Sequence, residues 1–310
     1  MYRQFFGLRD VPFGASPDPR FLYRMPFIQE ALACLQYGIA ARKGFVVITG
    51  EVGTGKTTLL KAVLDSFAKD RVATAFVFNP RLDVLDFFEF VLSDFGIPII
   101  ARNKSSMLLQ LNRWLIERYR DRGLCTIVID EAQNLSWELL EEIRLLTNLE
   151  TATEKLVQIV LSGQPELDEK LRHPSVRQLR QRIALWSKTR SLTQGETTEY
   201  ITQRLRIAGA RTSILSPDAM NAVYRHSQGI PRLINLVCEH ALIHAYVEQV
   251  RIIPSRIVEQ VGADLDLNQT SSMMPSTGLA YSVQNRVPTT GATAITPTAD
   301  YISSWKESEL

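Results

Sequence analysis

A glycine-rich segment directly after an apolar stretch is the part of this sequence whose residue types and spacing can do chemistry. The apolar run Phe45–Thr49 is followed by Gly50-Glu51-Val52-Gly53-Thr54-Gly55-Lys56-Thr57-Thr58. Glycines at this spacing let several backbone N–H groups point into one concavity, and a helix that begins there adds the positive end of its dipole. Such a loop holds nucleotide phosphates, with Lys56 on the β- and γ-phosphates and the Thr57 hydroxyl on Mg²⁺. We therefore predict a nucleotide-binding P-loop.

Two adjacent carboxylates at the end of a second apolar run add the chemistry of hydrolysis. The run Leu124–Ile129 closes in Asp130-Glu131. An aspartate at the end of such a strand lies at the carboxyl edge of a sheet, where it can hold the Mg²⁺ shell. A glutamate directly after it can polarise a water for in-line attack on the γ-phosphate. Small-molecule kinases also use P-loops, but the adjacent glutamate favours an ATPase that uses ATP and Mg²⁺.

Apolar runs alternate with helical patterns through the first two thirds of the chain. This alternation predicts an α/β fold whose parallel five-stranded sheet is sandwiched by helices. The expected strands are 45–49, 72–78, 124–129, 156–161 and 183–191, with an arginine-rich loop before the last of them.

The sequence pattern divides the chain into four expected parts. Residues 1–25 carry prolines between aromatic residues, which predicts an extended strap. This strap packs on the first domain, serves as a lid over the adenine pocket or as a subunit contact, or does both. Residues 26–192 form the P-loop domain, and residues 193–267 form a small all-helical lid domain. Residues 268–310 are rich in Ser and Thr without a periodic apolar face, which predicts a disordered tail.

The composition is that of an ordinary globular protein. Of 310 residues, 45% are hydrophobic and 22% are charged, and the net charge of +2 argues neither for nor against nucleic acid. The three cysteines lie far apart in apolar runs, which is typical of reduced core residues. No apolar run approaches the roughly 20 residues of a membrane span. We expect a cytoplasmic protein without a direct membrane span, with peripheral binding at the inner membrane left open.

The spacing of the motifs over residues 1–267 resembles the AAA+ family of ATPases. The resemblance implies a polar residue that senses the γ-phosphate, at the tip of the strand after Asp130-Glu131. Gln164 or Ser162 matches this position, where asparagine is more usual in the family.

The same resemblance implies two roles for arginines. One arginine before the last strand reaches the nucleotide of a neighbouring subunit, and both Arg180 and Arg182 match it. Another arginine, in the helical domain, contacts the nucleotide of its own subunit, and Arg232 matches it. A guanidinium suits both roles because it stays charged and offers a planar fork of donors to phosphate oxygens. Such a site implies a homo-oligomer, either a ring or a filament.

A closer resemblance is to the GspA/ExeA-type AAA+ ATPases, which belong to the general secretion pathway protein A-like family. It rests on Phe6-Gly7-Leu8, Pro12-Phe13, Pro17-Asp18-Pro19, Phe21-Leu22, residues 49–58, Asp130-Glu131-Ala132-Gln133-Asn134-Leu135, Gly163-Gln164-Pro165-Glu166-Leu167, Leu179-Arg180-Gln181-Arg182-Ile183 and Gly229-Ile230-Pro231-Arg232. The resemblance implies ATP-driven work with an envelope-assembly partner in secretion, pilus biogenesis or exopolysaccharide export. Founding members carry a transmembrane helix and a peptidoglycan-binding domain after the ATPase core. We expect this chain to lack both.

Two other functions compete with an envelope-assembly ATPase. One is an ATP-dependent regulator of transposition that binds double-stranded DNA, for which the segment from Arg172 to Arg190 could line a DNA-facing channel. The sequence favours the subunit interface and solvent for these cations, because neither aromatic interleaving nor a strong net charge supports nucleic acid. The other is a signalling NTPase with slow turnover.

Overall fold

The computed structural model describes residues 1–67 and 71–267, and the expected disordered tail lies outside the described residues. Five strands are present: β1 (Phe45–Thr49), β2 (Val72–Val77), β3 (Leu124–Ile129), β4 (Gln158–Gly163) and β5 (Ile183–Lys188). The α-helices in the described part of the chain are α1 (Tyr2–Phe6), α2 (Pro26–Ala40), α3 (Lys56–Asp65), α4 (Val84–Asp94), α5 (Lys104–Arg120), α6 (Trp137–Leu146), α7 (Pro165–Arg172), α8 (Arg177–Arg180), α9 (Gln194–Ile207), α10 (Pro217–Ser227), α11 (Pro231–Val247) and α12 (Ser255–Asp264).

The strands form one parallel sheet in the order β2-β3-β4-β1-β5, which confirms the predicted α/β fold. Strand β4 lies between β3 and β1, with Ile129 level with Leu161 and Thr49 level with Gly163. Since the strands run in the same direction, the residues that follow them meet at one edge of the sheet. The carboxylates after β3 and the P-loop after β1 therefore flank the end of β4.

Each face of the sheet buries its own hydrophobic core. Val46 and Ile48 of β1 pack into one core, whereas Phe45 and Val47 pack into the other. All five residues of β1 are buried, as expected for a strand that has helices on both faces. The first core continues into the C-terminal helices α9 to α12, so this face of the sheet and the helical region share one apolar interior.

The N-terminal segment differs in part from the extended strap that the prolines predict. Residues Tyr2–Phe6 are helical, and Gly7 ends this helix in the left-handed region with φ 69°. Beyond it the chain runs without regular structure to a 3-10 turn at Pro19–Phe21, with Phe13 and Phe21 buried in the first core. The short helix arises because a left-handed glycine lets a helix close its last turn with backbone hydrogen bonds.

The segment before β5 is helical rather than a loop. Residues Pro165–Arg172 form α7, and a 3-10 turn at Pro174–Val176 leads into the single turn α8. Leu167, Leu171 and Leu179 are buried in the second core, and this burial stabilises helices here despite the many arginines. In the described residues, no helix has the length and apolar character to cross a bilayer.

Candidate functional site

The P-loop joins β1 to α3 and forms one wall of a cavity of about 710 Å³. Gly53 and Gly55 have φ values of 81° and 96°, a region that glycine adopts without steric cost. Residues 52–58 line the cavity, and Lys56 is the first residue of α3. The loop backbone and the start of the helix therefore face the same space.

Lys56 is the buried cation of this loop, with only 6% of its surface exposed. Its Nζ donates to the carbonyl oxygens of Gly50 at 2.7 Å and of Glu51 at 3.0 Å. Burial lowers the pKa of Lys56, although the nearby carboxylates of Glu131 and Asp130 oppose this shift. An ammonium that lies beneath its own loop can turn to an incoming phosphate without crossing the cavity.

Asp130 connects the end of β3 to the P-loop and to the end of β4. Its Oδ2 accepts from the Thr57 hydroxyl at 2.8 Å, and its Oδ1 accepts from the Ser162 hydroxyl at 2.7 Å. A hydroxyl beside a carboxylate is the set of hard oxygen ligands that fits Mg²⁺ bound together with phosphates. The described residues contain no group of three or more His, Cys, Asp or Glu side chains that could hold a metal. Thr57 and Asp130 therefore fit a Mg²⁺ ion whose other ligands are phosphate and water oxygens.

Glu131 lines the cavity and stands at a left-handed backbone position with φ 52°. Its Oε2 accepts from the side-chain amides of Gln133 at 2.5 Å and Gln164 at 3.0 Å. Burial opposes ionisation of this carboxyl, but the two amides and the Lys56 charge outweigh it and lower the pKa. Glu131 is therefore a carboxylate near neutral pH, which is the form that a general base requires.

The opposite wall of the cavity comes from the N-terminal segment and from α11. Phe13 and Asp18 belong to the part contributed by the segment, and Arg232 lies at the start of α11. The Arg232 backbone N–H donates to the Gly53 carbonyl at 3.1 Å, so the P-loop and the helical region touch directly. The N-terminal segment thus packs into the first core and also forms part of the cavity wall.

A polar cluster in the same cavity was missed by the sequence analysis. Arg204 of α9 is buried, and its Nε donates to the Pro12 carbonyl at 2.6 Å. One of its terminal nitrogens donates to the Tyr200 hydroxyl at 2.8 Å, and its guanidinium lies 4.7 Å from the centre of the Phe21 ring. Arg204 therefore fastens the N-terminal segment to the helical region. No local pattern distinguishes this arginine from others on a solvated helix face.

The two candidate arginines before β5 have different surroundings. Arg182 donates to the Arg144 carbonyl at 3.1 Å, to the Thr147 hydroxyl at 2.6 Å and to the Asn148 side chain at 2.7 Å. Arg180 is exposed, with no hydrogen bond or ion pair in the described part of the chain. Neither arginine lines the cavity. Arg182 therefore holds the end of α6, whereas Arg180 remains available to another molecule.

This difference predicts a structural role for Arg182. Replacement of Arg182 by alanine removes three hydrogen bonds from a charged donor, and we expect the free energy of unfolding to fall by about 1–3 kcal/mol. Denaturant unfolding followed by circular dichroism measures the loss. Arg180→Ala is the matched control and should leave the unfolding midpoint unchanged; equal midpoints for both variants would contradict the assignment.

The chain is similar to known proteins over most of its length. Residues 39–171 match the model of the AAA domain family. The chain is 42% identical over 247 residues to general secretion pathway protein A from Aeromonas hydrophila, across 79% of this chain. It spans 45% of the length of that relative.

Solved structures of other proteins have a similar fold. The ORC2 protein of Aeropyrum pernix, in ADPNP–ADP complexes, has a TM-score of 0.61 at 18% identity, over 80% of this chain and 72% of that one. Cdc6p from Pyrobaculum aerophilum has a TM-score of 0.62 at 21% identity, over 79% of this chain and 68% of that one. At these identities the similarity shows the fold alone. The AAA domain match and the 42% identical relative together show that this chain matches the AAA ATPases of the general secretion pathway protein A type.

Proposed function

We propose that this chain binds ATP with Mg²⁺ and hydrolyses the ATP at an interface between two copies of itself. The observation that carries the proposal is that Lys56, Thr57 and Glu131 line one cavity, with the Thr57 hydroxyl hydrogen-bonded to Asp130. A phosphate-binding loop, a set of ligands for a cation and an ionised carboxylate are the parts that phosphoryl transfer to water requires.

Each residue of the site has a separable role in this reaction. The backbone N–H groups of residues 50–58 and the Lys56 ammonium bind the phosphates. The Mg²⁺ held by Thr57 and Asp130 would supply neutralisation of phosphate charge. Glu131 accepts the proton of the attacking water through its carboxylate. Arg232, at the wall of the cavity, contacts the nucleotide of its own copy, and Arg180 contacts that of the neighbouring copy.

The 42% identical relative is named general secretion pathway protein A, and this name supports a role for the ATPase activity in protein secretion. We propose that the chain is a cytoplasmic ATPase that powers or regulates assembly of a secretion, pilus or exopolysaccharide export system, peripherally at the inner membrane. Its partners would be further copies of itself and an envelope-assembly protein. Affinity capture with a variant that holds ATP without hydrolysing it tests the second partner. Recovery of transposition proteins instead of envelope components would contradict this placement.

In the DNA-binding alternative, the cations of the segment from Arg172 to Arg190 would contact DNA phosphates. Two of these cations are paired with carboxylates of the same chain. Lys188 pairs with Asp168 at 2.9 Å, and Arg190 pairs with Glu196 at 2.8 Å. Retention of double-stranded DNA in the presence of ATP, with an affinity that falls steeply as salt rises, would favour this alternative. Equal elution of the protein from DNA columns with and without ATP would support the envelope function.

Loss of the Lys56 charge tests nucleotide binding. In the Lys56→Met variant we expect ATP affinity to fall about tenfold to a hundredfold, because a charge-assisted hydrogen bond to phosphate is lost. Isothermal titration measures the dissociation constant, and phosphate release measures turnover. Lys61→Met removes an exposed lysine from the same helix and should behave as wild type. Unchanged ATP affinity in Lys56→Met would refute the assignment of this loop.

A further inference from the structure

Gln133 lies at the centre of a hydrogen-bond network behind the Glu131 carboxylate. It belongs to the 3-10 turn Ala132–Asn134 that follows Glu131. Its Nε2 donates to Glu131 Oε2 at 2.5 Å, and its Oε1 accepts from the Gln164 backbone N–H at 3.1 Å. The Gln164 side chain donates to the same Glu131 oxygen at 3.0 Å. The Gln133 side chain thus joins the end of β3 to the end of β4.

Gly163 provides the space for this network. A Cβ atom added at Gly163 would lie 2.8 Å from Gln133 Oε1 and 2.7 Å from Leu167 Cδ2. Gly163 is absent from the positive-φ glycines, so its backbone does not itself require glycine. Glycine is therefore needed at this position for close packing, because the Gln133 amide and Leu167 occupy the space that a side chain would take.

The network constrains one oxygen of Glu131 and leaves the other available. Both amides donate to Oε2, whereas Oε1 has no hydrogen-bond partner among the described residues. Gln133 does not line the cavity, while Glu131 does. An effect of Gln133 on a molecule in the cavity must therefore be indirect, and of the two residues that its side chain hydrogen-bonds, Glu131 and Gln164, only Glu131 lines the cavity.

We propose that Gln133 is a positioning residue for hydrolysis, which together with Gln164 holds the Glu131 carboxylate so that Oε1 faces the attacking water. This inference rests on the proposed function, because it assigns Glu131 the role of general base. The energetic reason is that a catalytic group with a single orientation has already lost its rotational freedom before the substrate binds. A small misplacement of such a group lowers the rate strongly.

Two variants of Gln133 separate its contacts. Gln133→Met keeps the length of the side chain and removes both hydrogen bonds. Gln133→Glu keeps an acceptor for the Gln164 N–H but loses the donor to Glu131. In both we expect kcat for ATP hydrolysis to fall about tenfold or more, with KM and ATP affinity within about twofold of wild type. Asn134→Ala, an exposed neighbour in the same turn, is the control and should retain wild-type kcat.

A double-variant cycle tests whether the effect passes through Glu131. In a Glu131→Gln background, Gln133→Met should lower kcat no further, because the carboxylate that it orients is gone. Wild-type or increased kcat in both Gln133 variants, while Glu131→Gln is inactive, would overturn this inference and leave the proposed function intact. A loss of ATP affinity as large as the loss of kcat would also overturn it, since Gln133 would then act in binding. Absence of hydrolysis by the wild-type chain would overturn both proposals.

Discussion

Replacement of Glu131 by glutamine is expected to lower kcat for ATP hydrolysis by about 10²- to 10⁴-fold, the usual contribution of a general base. The variant should bind ATP as wild type does, because Lys56 and the loop backbone still hold the phosphates. Glutamine preserves the size of the side chain but cannot accept the proton of the attacking water. A glutamine at this position also has no negative charge to accept the hydrogen bonds that the side-chain amides of Gln133 and Gln164 donate, so these hydrogen bonds become weaker.

Single-turnover hydrolysis and equilibrium ATP binding measure the two parts of this prediction separately. Glu138→Gln is the matched control, since Glu138 is an exposed glutamate in the first turn of α6. We expect wild-type turnover for that control. Turnover of Glu131→Gln at the wild-type rate would show that another group accepts the proton.

Replacement of Arg180 by alanine is expected to lower kcat by about 10³-fold or more, because an arginine that reaches a transferring phosphate from another molecule is worth this much. Arg180 is exposed and outside the cavity of its own chain, so its effect should appear only when copies of the chain associate. ATP affinity of the isolated chain should remain unchanged. Arg177→Ala removes an exposed arginine from the same turn of helix and is the control.

Mixed assemblies decide whether Arg180 acts between copies. A chain with Arg180→Ala has an intact nucleotide site, and a chain with Lys56→Met has an intact Arg180. Mixing the two should restore phosphate release, because the second chain supplies the arginine to the site of the first. Activity that stays at the level of the separate variants at every mixing ratio would contradict action between copies.

The sequence by itself was sufficient to predict the fold class, and it also predicted the residues that the structure brings together at the candidate site. The P-loop is a local feature, because its glycines and the lysine that follow β1 act within one short segment of chain. The pair Asp130-Glu131 could be placed because a buried apolar run fixes where a strand ends, and parallel strands end at one edge of the sheet. The five strands were also predicted from apolar runs, but β4 begins and ends two residues later than predicted, β2 ends one residue earlier and β5 ends three residues earlier.

Only the tertiary structure decided which distant residues meet. The order of strands places the end of β4 between Asp130 and the P-loop, and this brings Ser162, Gly163 and Gln164 to the carboxylates. Arg180 and Arg182 are equivalent in sequence, but the end of α6 accepts hydrogen bonds from Arg182 alone. Gln133 and Gly163 likewise come into contact only because the sheet places the end of β3 beside the end of β4. Local spacing carries no information about such contacts, because hydrogen bonds between separate elements depend on how the sheet brings those elements together.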